Sequence, residues 1–295
     1  MIKIFGHAVA AMDRFLWRLK GRASGQNLPA SEALDKTGRL TTDARLPMVI
    51  KHKDCVICLY PGLAAHTFWR AQELTLFANH ISLLSGPVLD LGCGDGSFAA
   101  AVFPVLDIGS DPDAEALKST IPGAYHRLLN CWGNNLPIAT DSIGTIVSNS
   151  VLEHVNDLHG VLQEACRVLI PGGLLIFTVP LRRFADDLAW FSGVEDSRFW
   201  NVHMVHRNLL STAEWIDLVQ VKGFEVMETI EYQPAWFTQR YRLMVSPIGL
   251  RLAGWLFDHR WKWVQAVLIR RVKRSIAGLE PGGNIFMVAR KRSGA

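Results

Sequence analysis

The sequence has no apolar run approaching the ~18 uncharged residues of a membrane-spanning helix, which leaves no transmembrane candidate. It is poor in cysteine: five, an odd number running from Cys55 to Cys166, do not make a disulfide framework and suit a reducing cytoplasm. It has no large charge excess, with 31 basic residues against 27 acidic and a net charge of +4, too little by itself to argue for nucleic acid. Internal repeats and low-complexity tracts are absent. What is present is globular. Hydrophobic residues make up 49% of the chain and charged ones 20%, which rules out a wholly disordered protein. Its 295 residues suffice for one large α/β domain, or for a core with an appendage. A mean hydropathy of +0.15 with ten Trp adds an apolar lean.

The charge is unevenly placed. Arg240 to Arg274 holds nine Arg/Lys and one acid, Asp258, so this stretch carries +8 and the remainder −4. Met1–Lys20 is a poor signal peptide, because its apolar stretch is short, contains His7 and runs into Asp13 and Arg14. Ile4, Phe5, Ala8, Met12, Phe15, Leu16 and Leu19 recur at helical spacing, which fits a helix packed on the protein body or one lying on a membrane surface. Residues 21–45 read as a linker. The expected organisation is therefore an N-terminal helix and linker over 1–45, a main domain over 46–232 and 280–295, and a basic, aromatic helical insertion over 233–279.

From about Gly86 short apolar runs alternate with helical patterns. Val88–Leu91, Val105–Gly109, Ile143–Ser148, Leu174–Val179, Phe224–Ile230 and Ile285–Ala289 read as strands. Helices are expected from Ser97, over Pro112–Ser119 with Asp111 as N-cap, over His159–Leu169, and after the capping box Ser211-Thr-Ala-Glu214. Such alternation implies an α/β fold with an open, mostly parallel sheet covered on both faces.

The sharpest local feature is Val88-Leu89-Asp90-Leu91-Gly92-Cys93-Gly94-Asp95-Gly96-Ser97. A strand ends, three glycines follow at alternate positions, and a helix begins whose first amides favour an anionic group. Seventeen positions after Gly94 comes Asp111, at the end of the second strand, where an acid can accept both hydroxyls of a ribose. The pair reads as a nucleoside site. G-x-G-x-G lacks the second half of the G-x-G-x-x-G dinucleotide fingerprint, which argues against an NAD-linked enzyme. With Asp90 just before it, the turn suits a ligand carrying an ammonium and a carboxylate more than a pyrophosphate.

These residues resemble the class I S-adenosylmethionine-dependent methyltransferases. VLDLGCGDG looks like their first motif and Asp111 in GSDP like their second. Leu136–Val155 (LPIATDSIGTIVSNSVLEHV) and Ala165–Gly173 (ACRVLIPGG) are similar to two further motifs in the family order. The resemblance covers about Gly86 to Pro180. It implies a Rossmann-like, seven-stranded, mostly parallel sheet and S-adenosylmethionine as cofactor. Asp90, Gly92, Cys93 and Gly94 would surround the methionine moiety, Asp111 would hold the ribose, Pro112 would sit beside the adenine, and Asn149 would line the sulfonium region. Where many relatives carry an acid that meets the adenine amino group, this chain has Trp132, so a stacking indole or backbone groups of Cys131 or Gly133 would serve instead.

Methyl transfer from a sulfonium is an in-line displacement that asks the protein mainly to align the partners and exclude water; an oxygen acceptor also needs a base. His154 is the candidate by motif, with bracing of the following helix as its structural alternative; His203 and His206 lie on the segment expected to cover the pocket. Cys55-Val-Ile-Cys58, with His52 and His66, reads as part of an apolar strand, and no metal is expected. Two insertions, Leu181–Leu210 and Gln233–Leu279, are rich in aromatic residues and form the expected cap. Basic and aromatic residues interleave in the second, as on an anionic membrane surface, and no recognised RNA-binding module appears. The expected acceptor is a small or lipid-like molecule, and the expected location is the cytoplasm, with peripheral attachment to the inner face of the membrane left open. A non-catalytic relative that only binds the cofactor is the alternative.

Overall fold

The computed structural model describes residues 48–52, 55–59, 64–244 and 282–294, with isolated positions at 263, 266, 267 and 270. The expected N-terminal helix and linker, and most of the basic stretch, lie outside them. A short antiparallel hairpin, β1 (Met48–His52) and β2 (Cys55–Leu59), precedes α1 (Ala64–Asn79). Cys55 and Cys58 thus lie on a strand, but the stretch expected as one apolar strand is the two arms of a hairpin.

The main body is a seven-stranded sheet of order β5-β4-β3-β6-β7-β9-β8. Its strands are β3 (Val88–Leu91), β4 (Leu106–Asp111), β5 (Tyr125–Asn130), β6 (Ile143–Asn149), β7 (Leu169–Pro180), β8 (Phe224–Tyr232) and β9 (Asn284–Lys291). All neighbours pair in parallel except β9, which runs antiparallel to both β7 and β8. The helices between the strands are α2 (Ser97–Val102), α3 (Ala114–Lys118), α4 (Leu158–Val168), α5 (Arg182–Ser192), α6 (Val194–His203), α7 (Thr212–Val221) and α8 (Ala235–Met244).

Strand periodicity sorts the apolar residues into two cores. Leu89, Leu91, Ile146, Leu175 and Phe177 belong to a cluster with Val161, Leu162, Trp215 and Val219 of α4 and α7. Their chain neighbours Val88, Val147 and Ile176 belong to another with Leu74, Phe77 and Val102 of α1 and α2. Successive residues point to opposite faces, so a strand covered on both reads as a continuous apolar run. The capping box at α7 forms as expected, with the Ser211 amide donating to Glu214 and the Glu214 amide to Ser211 Oγ. A third cluster, Phe184, Leu188, Trp200, Phe237 and Tyr241, joins α5, α6 and α8 and packs against Trp69 of α1. Within it the Trp69 and Phe184 rings meet edge to face at 5.4 Å.

β5 was not expected. Its residues YHRLLN are largely exposed because it is the sheet's edge strand, so it carries little apolar signal.

Candidate active site

β3 and β6 are sheet neighbours, while β4 lies on the other side of β3. Chain direction through the sheet therefore reverses at β3, and the carboxyl ends of β3 and β6 open a crevice of the kind that binds ligands in such folds. The glycine turn fills this place. Gly92 has φ +79°, and a Cβ there would lie 2.5 Å from Val151 Cγ2. Gly94 has φ +54°, but a Cβ there would meet nothing within 4 Å, so at this point bare backbone faces open space.

The turn is fastened to β4. The amides of Gly92 and Cys93 both donate to the Ser110 carbonyl, at 2.8 and 3.0 Å. The Gly94 amide donates to Asp111 Oδ2 at 2.9 Å, and Asp111 Oδ1 accepts from the Asp113 amide at 2.8 Å. This corrects one expectation: Asp111 is not the N-cap of the following helix. Asp113 is, accepting from the Glu115 and Ala116 amides, and α3 begins at Ala114 rather than Pro112. Pro112 is held at the rim, where Asn130 Nδ2 donates to the carbonyls of Asp111 and Pro112.

Asp90 is buried beside the turn, and the Tyr125 hydroxyl donates to its Oδ2 at 2.6 Å. Burial pushes its carboxyl up to about 7; the Tyr125 bond opposes this and the Asp111 charge adds to it. Burial likewise pushes the Cys93 thiol up, aided by Asp90 and Asp111, which leaves Cys93 protonated and unreactive. Cys131 is half-buried. Trp132 is 68% exposed, on a loop whose Gly133 packs so that a Cβ would lie 3.2 Å from Leu91 Cδ1. Gly133 therefore packs against the end of β3, and Cys131 against the core cluster to which Leu91 belongs.

Asn149 ends β6, where its Oδ1 accepts from Thr178 Oγ1 at 2.7 Å and its Nδ2 donates to Glu73 Oε2 at 3.2 Å. Glu73, on α1, is fully buried and also accepts from Trp69 Nε1, Arg70 Nη1, Ser150 Oγ and Tyr232 Oη. Neither Glu73 nor Tyr125 was legible as a site residue. Their contacts come from distant parts of the chain, and no local motif marks them.

Beyond β6, Glu153, His154 and His206 converge, offering one ligand atom each with all three within 4.8 Å of one another. The segment after α6 is fastened here: the Arg207 and Asn208 amides donate to the Glu153 carbonyl, and Asn208 Nδ2 donates to the carbonyls of Leu152 and Val155. His154 Nδ1 bonds the Val205 carbonyl at 3.2 Å, and its Nε2 lies 3.5 Å from Glu153 Oε1. His154 thus braces the segment that follows α6. Burial pushes the Glu153 carboxyl up to about 8 and the His206 imidazole down to about 4. The side chain of His203 lies outside the described residues.

The chemistry of the crevice fits a nucleoside that carries an ammonium. Two carboxylates, Asp90 and Asp111, flank open glycine backbone, and among the described residues neither is paired with a cationic side chain.

Comparison with known proteins agrees. The sequence model of the methyltransferase domain family matches residues 63–229, more than half of the chain. A protein of Mycolicibacterium smegmatis named "probable S-adenosylmethionine-dependent methyltransferase" is 31% identical over 175 residues, spanning 58% of this chain and 64% of that one. An uncharacterized methyltransferase of Mycobacterium ulcerans is 34% identical over 124 residues, spanning 40% and 49%. The chain thus spans between about half and just under two thirds of the length of these relatives. The crystal structure of a SAM-dependent methyltransferase of Thermotoga maritima superposes with a TM-score of 0.53 at 19% identity, covering 78% of this chain and 92% of that one, a likeness of fold.

Proposed function

This chain belongs to the S-adenosylmethionine-dependent methyltransferase family, and we propose that it transfers a methyl group from S-adenosylmethionine to a small-molecule or lipid-like acceptor. The observation that carries the reading is the bond between the Gly94 amide and Asp111 Oδ2, which sets the acid beside open glycine backbone at the crevice. Bound there, S-adenosylmethionine supplies an electrophilic methyl on a positively charged sulfur.

The residues divide the work. Asp90 accepts from the ammonium, and the backbone of Gly92, Cys93 and Gly94 lies along the methionine moiety. The remaining lone pairs of the Asp111 carboxylate take the ribose hydroxyls. Pro112 and the Cys131–Trp132 loop border the adenine. Asn149, pinned between Glu73 and Thr178, cannot swing away and lines the sulfonium end as a fixed dipole. The Glu153–His154–His206 group is reached from the glycine turn through Val151, which packs on Gly92 and whose carbonyl accepts from the His154 amide at 2.9 Å. Activation of the acceptor belongs to this group.

Two observations support an apolar acceptor. The cap helices α5 and α6 share an aromatic core, and they leave Trp190, Val194 and Val202 exposed to solvent. Exposed apolar side chains of this size fit contact with a lipid or its membrane.

The test is calorimetric titration of S-adenosylhomocysteine into the wild type and Asp111→Ala, followed by transfer of labelled methyl groups to lipid extracts. Wild-type binding in the micromolar range, about −8 kcal/mol, that weakens sharply in the variant is expected. No binding to the wild type would overturn the reading.

A further inference from the structure

The two histidines of the group beyond β6 are both held by their Nδ1 atoms. His206 Nδ1 bonds Asn201 Oδ1 at 2.9 Å, and Asn201 Nδ2 is spent on the Ser197 carbonyl at 2.9 Å. His154 Nδ1 bonds the Val205 carbonyl. Both partners are oxygens that can only accept, so both rings carry their proton on Nδ1 and present a bare lone pair at Nε2. Metal-binding imidazoles are oriented in this way.

The third member supplies an independent sign. Glu153 is 2% exposed, and its Oε2 is buried without a hydrogen-bond partner. A buried carboxyl oxygen without a partner costs stability unless something meets it, and a cation held through Oε1 would neutralise the group to which Oε2 belongs. Two neutral imidazoles and a carboxylate make the N,N,O donor set of open divalent sites, and imidazole selects first-row transition ions over Mg2+ or Ca2+. Tetrahedral Zn2+ with bonds of about 2.1 Å needs ligand atoms about 3.4 Å apart. Glu153 Oε1 and His154 Nε2 already stand at 3.5 Å, and the remaining spread, within 4.8 Å, closes by side-chain torsion. The positive charge nearby is partly cancelled, because Arg70 is paired with Glu73 at 2.5 Å. Arg207 adds to what remains of the Arg70 charge, both disfavour positive charge at His154, and together they weaken the site.

We infer that Glu153, His154 and His206 form a site for a divalent first-row transition cation, Zn2+ above the others, left open to solvent on the half-exposed His154 side. Three protein ligands leave a position that an oxygen of the acceptor can complete. Asn201 is a positioning residue, acting through the His206 ring.

The inference goes beyond the cofactor reading, and one set of samples tests both. The untagged full chain is stripped with chelator and dialysed against Zn2+ or Co2+. Bound metal is then measured by mass spectrometry and by visible absorption of Co2+, with S-adenosylhomocysteine binding and circular dichroism run on the same material. About one Zn2+ per chain is expected, together with a Co2+ absorption band. Glu153→Gln, His154→Ala and His206→Ala should each weaken Zn2+ by at least about tenfold, and Asn201→Leu by about 10–100-fold, with the fold retained. Cys55→Ser with Cys58→Ser should leave the binding unchanged. Zn2+ absent from the wild type, or held equally well by the three ligand variants, overturns the site. So does Zn2+ lost only with the two cysteines. If S-adenosylhomocysteine binds while Zn2+ does not, the cation site falls and the cofactor reading stands.

Discussion

The Gly94 amide donates to Asp111 Oδ2 at 2.9 Å, so the glycine turn and the acid at the end of the next strand form one unit. Asp111→Ala should remove both the proposed ribose acceptor and a fastening of the turn. Asp111→Asn keeps one acceptor oxygen but loses the charge. Losing hydrogen bonds to a charged group costs about 1.5–3 kcal/mol, or about 10–100-fold in affinity. Titration with S-adenosylhomocysteine should rank wild type above Asp111→Asn and Asp111→Ala last. Equal affinities would remove Asp111 from the site.

Gly92 and Val151 make a second pair. A Cβ on Gly92 would sit 2.5 Å from Val151 Cγ2, and φ is +79°. Gly92→Ala should therefore destabilise the protein by about 1–3 kcal/mol, from overpacking and backbone strain together. Adding Val151→Ala relieves the overpacking and leaves the strain, so the double variant should recover part of the loss. Urea unfolding of the four proteins reads this directly. Purely additive effects would mean that the contact does not matter.

The central sheet was legible because strands buried on both faces announce themselves as apolar runs, as in Leu174–Val179. The candidate site was legible where its pattern is local: three glycines, and an acid in register that the structure bonds to the Gly94 amide. Asp111 was read as an N-cap because Pro112 beside it is a common first helical residue. In the structure its side chain bonds the Gly94 and Asp113 amides instead, and Asp113 caps the helix. Tyr125 went unread because it opens an exposed edge strand, and Glu73 because Asn149, Ser150 and Tyr232 reach it only through the tertiary fold. The Glu153–His154–His206 group was half legible. His154 stood out by motif, but only the return of the chain after α6 brings His206 to it.

Asp90 should make cofactor binding pH-dependent. Its carboxyl lies at about 7 in the fold against 3.8 ordinarily. Between those values the folded protein holds a proton that the unfolded chain has lost, so this group's contribution to stability falls as pH rises from about 4 to about 7 and then levels. An ammonium binds the ionised form. Affinity for S-adenosylhomocysteine should therefore rise with pH toward about 7 and flatten above it, with proton release seen as a buffer-dependent binding enthalpy. Asp90→Asn should abolish that dependence and weaken binding. A wild-type profile as flat as the variant's would separate Asp90 from the ammonium.

Trp190 of α5 and Val202 of α6, 78% and 79% exposed, test the apolar reading. The full chain should float with anionic liposomes at low salt and less at high salt. Trp190→Glu with Val202→Glu should reduce flotation while leaving S-adenosylhomocysteine binding unchanged. No flotation of the wild type would remove the membrane from the proposal and leave a dissolved acceptor.

Glu73 should matter to stability and catalysis in different ways. Its buried carboxylate accepts from donors on α1, β6 and β8 and from Ser150, so it joins one face of the sheet to the end of the crevice. Glu73→Ala leaves these donors facing a void beside the Arg70 charge, a loss of about 3–5 kcal/mol by analogy with broken buried ion pairs. Glu73→Gln keeps the shape but turns an NH2 toward groups that donate, and should cost about 1.5–3 kcal/mol. The thermal midpoint should drop by several degrees in both, further in Glu73→Ala. Asn149 loses the acceptor for its Nδ2 and can then turn, so methyl transfer should slow in Glu73→Gln more than S-adenosylhomocysteine affinity falls. Asn149→Ala made on top of Glu73→Gln should then reduce the rate by less than Asn149→Ala does alone, because the amide is already misplaced. Additive rate losses would show that Glu73 supports the fold without positioning Asn149.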